Sequence, residues 1–401
     1  DIFLLLFGFN LTCTFAYQTE TDSINRITIQ GELGFGHQVC NGDFNGDGVD
    51  DIVITSVQST QIAPLKIFIY YGDTSMDTTA DLIIIVDTVY DYFDGYSIAN
   101  AGDVNNDNYD DLIVSSHYFN NDTGKVLLFF GGNPMDAEYD FVLNGNKNYS
   151  GFGSSVSTAG DVNGDGISDF LVASSINYNL QIDTSKVFLY FGGSDLDTIP
   201  DLIYYSPYIE DSFGSSIASA GDINNDGFND ILIGYKWFSD KVYVYLGAEI
   251  VQDSIAFILQ NNQIQSNFGS SMCGDNDFNL DGYDDIVIGA PRFDPLGGGA
   301  QIGRVYVYLG GQSFNTVADL ILSGNEQLGQ FGQSISGAGF FNEDNYPDLI
   351  INSPFSNNLN GSAYIYFGSS NFDGNADITI YGDYSDQFSF GGTITNCDFN
   401  N

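Results

Sequence analysis

Phe152-Gly153-Ser154-Ser155-Val156-Ser157-Thr158-Ala159-Gly160-Asp161-Val162-Asn163-Gly164-Asp165-Gly166-Ile167-Ser168-Asp169 decides the fold, because it is not alone in the chain. A second copy runs from Phe213-Gly214-Ser215-Ser216 into Asp222-Ile-Asn224-Asn-Asp226-Gly227-Phe228-Asn229-Asp230. Acidic loops of this kind start at positions 43, 103, 161, 222, 277, 340 and 398, at spacings of 60, 58, 61, 55, 63 and 58 residues. A near-fixed period means one structural unit used repeatedly, each unit burying its face against its neighbours.

Between the loops the pattern is β throughout. After the third loop come Phe170-Leu-Val-Ala, Lys186-Val-Phe-Leu-Tyr and Asp201-Leu-Ile-Tyr-Tyr205, and the same three stretches follow loops one and five. Short β-branched and aromatic runs bounded by Gly, Asn and Asp read as strands, and no segment sustains a helical period. With the Phe-Gly-Ser-Ser strand ahead of the loop, each unit has four strands, as a propeller blade does. A unit near 58 residues is too short for a β-sandwich domain. The expected fold is all-β: a seven-bladed β-propeller of four-stranded blades spanning residues 34–401. Fourth-strand equivalents fall near 27, 82, 141, 202, 256, 320 and 378. The first precedes any loop, so residues 17–33 read as a ring-closing strand for the last blade. That blade is expected to be truncated, its text ending inside the seventh loop at Asp398 with its second and third strands absent.

Ile2 to Ala16 is apolar, too short to span a bilayer, and has the small residues Thr14 and Ala16 before Tyr17, so residues 1–16 read as the remnant of a secretory signal. No later run approaches a membrane span. Asn121-Asp-Thr123, Asn148-Tyr-Ser150 and Asn360-Gly-Ser362 fit the glycosylation pattern, in keeping with a secreted glycoprotein. The charge points the same way as the loops: 53 acidic residues against 9 basic leave a net charge of −44. Nucleic acid and anionic lipid need Lys and Arg clusters, and none exists here. Cys13, Cys40, Cys273 and Cys397 are too widely spaced to specify a disulfide framework.

Within each of loops one to five, oxygen-bearing side chains fall at positions 1, 3, 5 and 9, with Gly or Asn at position 6. Oxygens at alternating positions wrap a hard cation, and the position-7 carbonyl adds another. The candidate ligand sets are Asp43, Asn45, Asp47, Val49 and Asp51; Asp103, Asn105, Asp107, Tyr109 and Asp111; Asp161, Asn163, Asp165, Ile167 and Asp169; Asp222, Asn224, Asp226, Phe228 and Asp230; and Asp277, Asn279, Asp281, Tyr283 and Asp285. Position 12 of loop three is Val172, inside a strand, so this is not an EF-hand. Ca²⁺ fits crowded all-protein oxygen cages better than Mg²⁺ does. Loop six has Phe340 where the first Asp belongs and is expected to be a structural turn without metal.

The Phe-Gly step, the Asp-x-Asn-x-Asp-Gly-x-x-Asp loop and Gly289-Ala290-Pro291 after loop five resemble the FG-GAP repeats of the integrin α-subunit propeller. The resemblance covers residues 25 to 401. It implies calcium in hairpin loops on one face, and a protein or glycan ligand, or a partner subunit, on the other. It thereby implies an adhesion module on the extracellular side of the cell surface. The alternative is the propeller of a secreted carbohydrate- or lipid-active enzyme. Only His37 and His117 are available for such chemistry, in non-equivalent repeat positions, and no nucleophile motif accompanies them. The expectation is therefore no enzymatic activity. Lys236-Trp237-Phe238 is a further candidate for a partner anchor or a core element.

Overall fold

The computed structural model describes residues 2–8, 12–18, 24–31, 34–56, 64–72, 78–86, 97–175, 185–207, 212–235, 240–295, 297–342, 344–382 and 394–398. Lys236-Trp237-Phe238 and the Phe-Gly equivalent of the second repeat lie outside them. Six blades are each made from four consecutive antiparallel strands: blade one (residues 35–86), two (97–144), three (152–205), four (213–260), five (272–323) and six (335–381). The loop-bearing strand is innermost in every blade. Because neighbouring strands alternate in direction, the acidic loops and the turns between third and fourth strands share one face. The connections from second to third strand, and from one blade to the next, share the opposite face.

A seventh four-stranded sheet is composite, with the order Ile394–Asp398, Ile2–Gly8, Thr12–Gln18 and Ile24–Gln30. This corrects two expectations. Seven blades built alike are not found; six are, beside one sheet assembled from both chain ends. Its second and third strands are not absent either, because residues 2–8 and 12–18, read as a signal remnant, occupy those places. The physical reason is edge pairing. The inner strand Ile394–Asp398 and the outer strand Ile24–Gln30 would each leave a row of open amides and carbonyls, and two seven-residue segments between them close both rows. Ile394–Asp398 lies against Ile335–Gly337 of blade six on one side and Phe35–Gly42 of blade one on the other.

Among the described residues, five hydrophobic clusters sit between blades and one lies within blade six. One joins Val126, Leu128 and Leu143 of blade two to Phe152, Val172 and Tyr190 of blade three. The next joins Val187 and Leu189 of blade three to Ile231, Tyr243 and Tyr245 of blade four. The Phe-Gly step belongs to this packing. Its Phe stands edge-on to an aromatic ring of the third strand in its own blade, as in Phe152–Phe188 at 5.5 Å and Phe268–Tyr306 at 5.3 Å. Its Gly faces the preceding blade. At Gly214, φ is +78°, and a Cβ would stand 2.7 Å from Val187 Cγ2. A left-handed backbone costs an L-residue about 1–2 kcal/mol before any clash. Gly214→Ala is therefore expected to destabilise by about 2 kcal/mol or more, read as a lower thermal midpoint. An unchanged midpoint would mean that blades three and four are not closely packed there.

No helix among the described residues is long and apolar enough to cross a membrane.

Candidate metal centre

Loop three shows how the sequence makes the turn. Asp161 Oδ1 accepts hydrogen bonds from the amides of Gly164 and Asp165 at 2.7 and 3.1 Å, and Oδ2 accepts from Gly166 at 2.8 Å. Asn163 Oδ1 accepts from Asp165 N, and Asp165 Oδ1 from Ile167 N. Positions 4 and 6 take positive φ in all five intact loops, which is why Gly or Asn dominates there; Leu280 is the exception. Position 4 is also where the next loop closes in: a Cβ on Gly46 would meet the Tyr109 ring at 2.5 Å, and one on Gly164 the Phe228 ring at 2.5 Å. The position-7 residues Val49, Tyr109, Ile167, Phe228 and Tyr283 each donate an amide to the position-5 carboxylate.

Position 9 is different in kind. Asp51, Asp111, Asp169, Asp230 and Asp285 are fully buried, and so is Asp348 of loop six. In each, Oδ2 accepts an amide near the loop start, from Phe44, Val104, Val162, Ile223, Phe278 or Asn342. Oδ1 accepts the amide of the Gly just past the third strand: Gly72, Gly131, Gly192, Gly247, Gly310 or Gly368. One carboxyl thus fastens the loop to its blade's third strand. Burial, opposed by these amides, pushes Asp51, Asp111, Asp230 and Asp285 up to about 8 and Asp169 to about 7, and the neighbouring loop carboxylates push the same way.

Adjacent loops are stitched together. The position-1 carbonyls of Asp43, Asp103, Asp161 and Asp222 accept the position-8 amides of Asp110, Ser168, Asn229 and Asp284 in the next blade. The position-2 carbonyls of Phe44, Val104, Val162, Ile223 and Phe278 accept amides of Gly132, Gly193, Ala248, Gly311 and Ser369. Side chains return the bond, Asp110 Oδ2 to Asp43 N and Asp284 Oδ2 to Asp222 N. At loop six, position 8 is Pro347, which has no amide hydrogen to offer Asp277.

The donors gathered by each loop are all oxygens, the set a hard divalent cation takes. In loops two and four the position-3 oxygens, Asn105 Oδ1 and Asn224 Oδ1, are buried with no hydrogen-bond partner. An orphaned buried acceptor is costly, and a cation would satisfy it. Among the described residues, no three His, Cys, Asp or Glu side chains already converge as a formed metal cage; the carboxylates are turned to their own loop amides. The residues fit the ion in donor type and position, and with Ca²⁺ bound, the positions 1, 3, 5 and 9 side chains and the position-7 carbonyl would hold it. The seventh loop's Asp398 ends a strand of the composite sheet. Loop six keeps the side-chain bonds of the turn, Asp344 N donating to Asn342 Oδ1 and Tyr346 N to Asp344 Oδ1, while Phe340 stands 43% exposed in place of the first carboxylate.

The remaining candidates are not gathered into a reactive site. His37 lies on the innermost strand of blade one and His117 just beyond the second strand of blade two; burial lowers both pKa values, His117 to about 4. Cys40 and Cys273 are free thiols, raised by burial. One periodic set went unread as functional in the sequence: Asp81, Asp140, Asp201, Asp319 and Asp377 each accept the amide just after the third strand. Their signal was the Asp standing just before each fourth-strand stretch, as in Asp81-Leu-Ile, Asp201-Leu-Ile and Asp319-Leu-Ile.

The FG-GAP repeat model matches residues 35–61, 95–129, 152–180, 213–246 and 268–308. The chain is 32% identical over 249 residues to integrin alpha-5 of Xenopus laevis, covering 59% of this chain and 22% of that one. It is 30% identical over 269 residues to integrin alpha-4 of Xenopus laevis, covering 65% and 25%. It thus spans a quarter or less of these relatives' length. A chain from a crystal structure of BBS1N in complex with ARL6DN, soaked with mercury, shares the fold alone, with a TM-score of 0.50 at 11% identity over 90% of this chain and 92% of that one. The fold and its loops define a β-propeller of four-stranded blades with acidic hairpin turns. The chain is an FG-GAP repeat protein with a propeller like that of the integrin α chains.

Proposed function

We propose that this propeller is a calcium-stabilised recognition module of an adhesion protein on the extracellular side of the cell surface. The five intact loops hold Ca²⁺ on one face. A protein or glycan ligand, or a partner subunit, docks on the other, and the chain catalyses no reaction. The composite sheet acts as the seventh, ring-closing blade. The observation that carries the metal reading is the pair of buried, unpartnered amide oxygens, Asn105 Oδ1 and Asn224 Oδ1, inside loops already lined with carboxylates. The similarity to integrin α chains supports the adhesion reading. The face opposite the loops also carries the exposed sequon residues Asn121 and Asn148, as a secreted protein would allow.

Extracellular calcium modules bind with Kd on the order of 10⁻⁴ to 10⁻³ M. Titration calorimetry on chelator-treated protein is expected to show uptake of about five Ca²⁺ in that range, and Asp161→Ala is expected to remove one equivalent. No heat of binding at millimolar calcium would overturn the metal reading.

A further inference from the structure

A groove of about 220 Å³ runs along the rim between blades two and three, from the face opposite the acidic loops down to the third-to-fourth-strand turn of blade three. Its floor is one face of blade three, where Lys186, Phe188 and Tyr190 alternate along the third strand. Its wall is the turn leaving blade two, which contributes Asn146 and Lys147. Two of the chain's nine basic residues therefore line one groove in a molecule of net charge −44.

The next interface shows how the same space can be filled. Between blades three and four the corresponding space is filled by tyrosines: Tyr204 and Tyr245 pack with ring centroids 4.4 Å apart, and Tyr235 lies 5.2 Å from Tyr243. Tyr204 is the third residue of its outer strand and Tyr235 the last of its second strand. The same positions one blade earlier hold Leu143 and Ser174. Ser174 lines the groove where Tyr235 stands one blade later. Ser116, Ala290 and Ser353 end other second strands, so the tyrosine pair is the exception in the repeat.

The chemistry of the lining is uneven. Lys186 and Lys147 stand at the end away from the acidic loops. Asp197 and Asp201 lie within electrostatic reach of the Tyr190 hydroxyl at the other end. One anionic group is favoured at the lysine end and a second is disfavoured at the foot. Between them are an aromatic floor and the polar side chains of Asn146 and Thr198. The volume falls below the range of about 300–1,000 Å³ typical of drug-sized ligands. We propose that this rim groove binds a single acidic monosaccharide unit, its carboxylate or sulfate between Lys147 and Lys186 and its ring against Phe188.

The test uses the whole calcium-loaded chain and saturation-transfer NMR with glucuronate, glucose 6-sulfate and glucose. Saturable binding of a charged sugar is expected, with glucose weaker by roughly tenfold or more. Preference between the two charged sugars tells carboxylate from sulfate. Lys186→Met is expected to weaken binding about tenfold. Ser174→Tyr, which places here the residue of blade four, is expected to abolish binding by filling the groove. Both variants should keep the parent's calcium uptake. Should Ser174→Tyr fail to fold, Lys186→Met carries the test. The proposal is overturned if no charged sugar binds saturably below about 10 mM, if glucose binds equally well, or if folded Ser174→Tyr binds like the parent.

Discussion

Chelation of calcium is expected to lower the thermal midpoint of this propeller by about 10 °C or more. A ligand that binds only the folded state stabilises it by RT ln(1 + [L]/Kd), about 2.7 kcal/mol per site at 100 times Kd and less for weak sites. Five sites act together. Without the ion, each loop holds two or three exposed or half-exposed acidic groups beside one buried carboxyl, in a chain whose net charge is already −44. The same field that makes an ion welcome makes its absence costly. Scanning calorimetry with and without EGTA at fixed ionic strength checks this, and magnesium in place of calcium should restore little. Coincident melting curves would mean that the loop amides alone satisfy the carboxylates.

The second large effect is expected at Asp348. It sits in the loop lacking the first carboxylate, yet it is as buried as its five counterparts and accepts the amides of Asn342 and Gly368 at 3.2 and 2.8 Å. Asp348→Ala leaves two buried amides without an acceptor, at about 1–3 kcal/mol each, so a loss of about 3 kcal/mol is expected. That loss should be the same with and without calcium. Asp285→Ala removes the same two kinds of bond and a candidate ligand as well, so its cost should be larger in calcium than in chelator. Thermal midpoints of the two variants under both conditions separate fastening from metal binding at position 9. Equal calcium dependence in both would show that loop six takes up metal despite Phe340.

The blades were legible because their signals are local and repeated. The Phe-Gly step, the loop and the Asp-Leu-Ile strand recur at one period, and each has a backbone reason visible in the residue type. The loop's oxygen positions were equally plain. The fastening role of position 9 was not, because an Asp reads the same whether its oxygens face an ion or the amides of Gly310 and Phe278. The composite sheet was hidden for another reason. Ile2–Gly8 pairs with Ile394–Asp398 across nearly the whole chain, and an apolar run of that length carries no register of its own. The rim groove was invisible as well, since its lining is gathered from the turn leaving blade two and from the outer strands of blade three.

Pro347 gives the ring a direction and a seam. From loop one to loop five, each loop's first carbonyl leans on the amide of the loop that follows, so a disturbance in one turn is handed to its predecessor. The series stops between loops five and six, where proline withholds the amide. Blades one to five therefore behave as a coupled stack, and among the described residues blade six is joined to it on this face by one backbone bond of this kind, Ser369 N to Phe278 O. Under load or heat, opening among blades one to six on this face is expected to start at that joint.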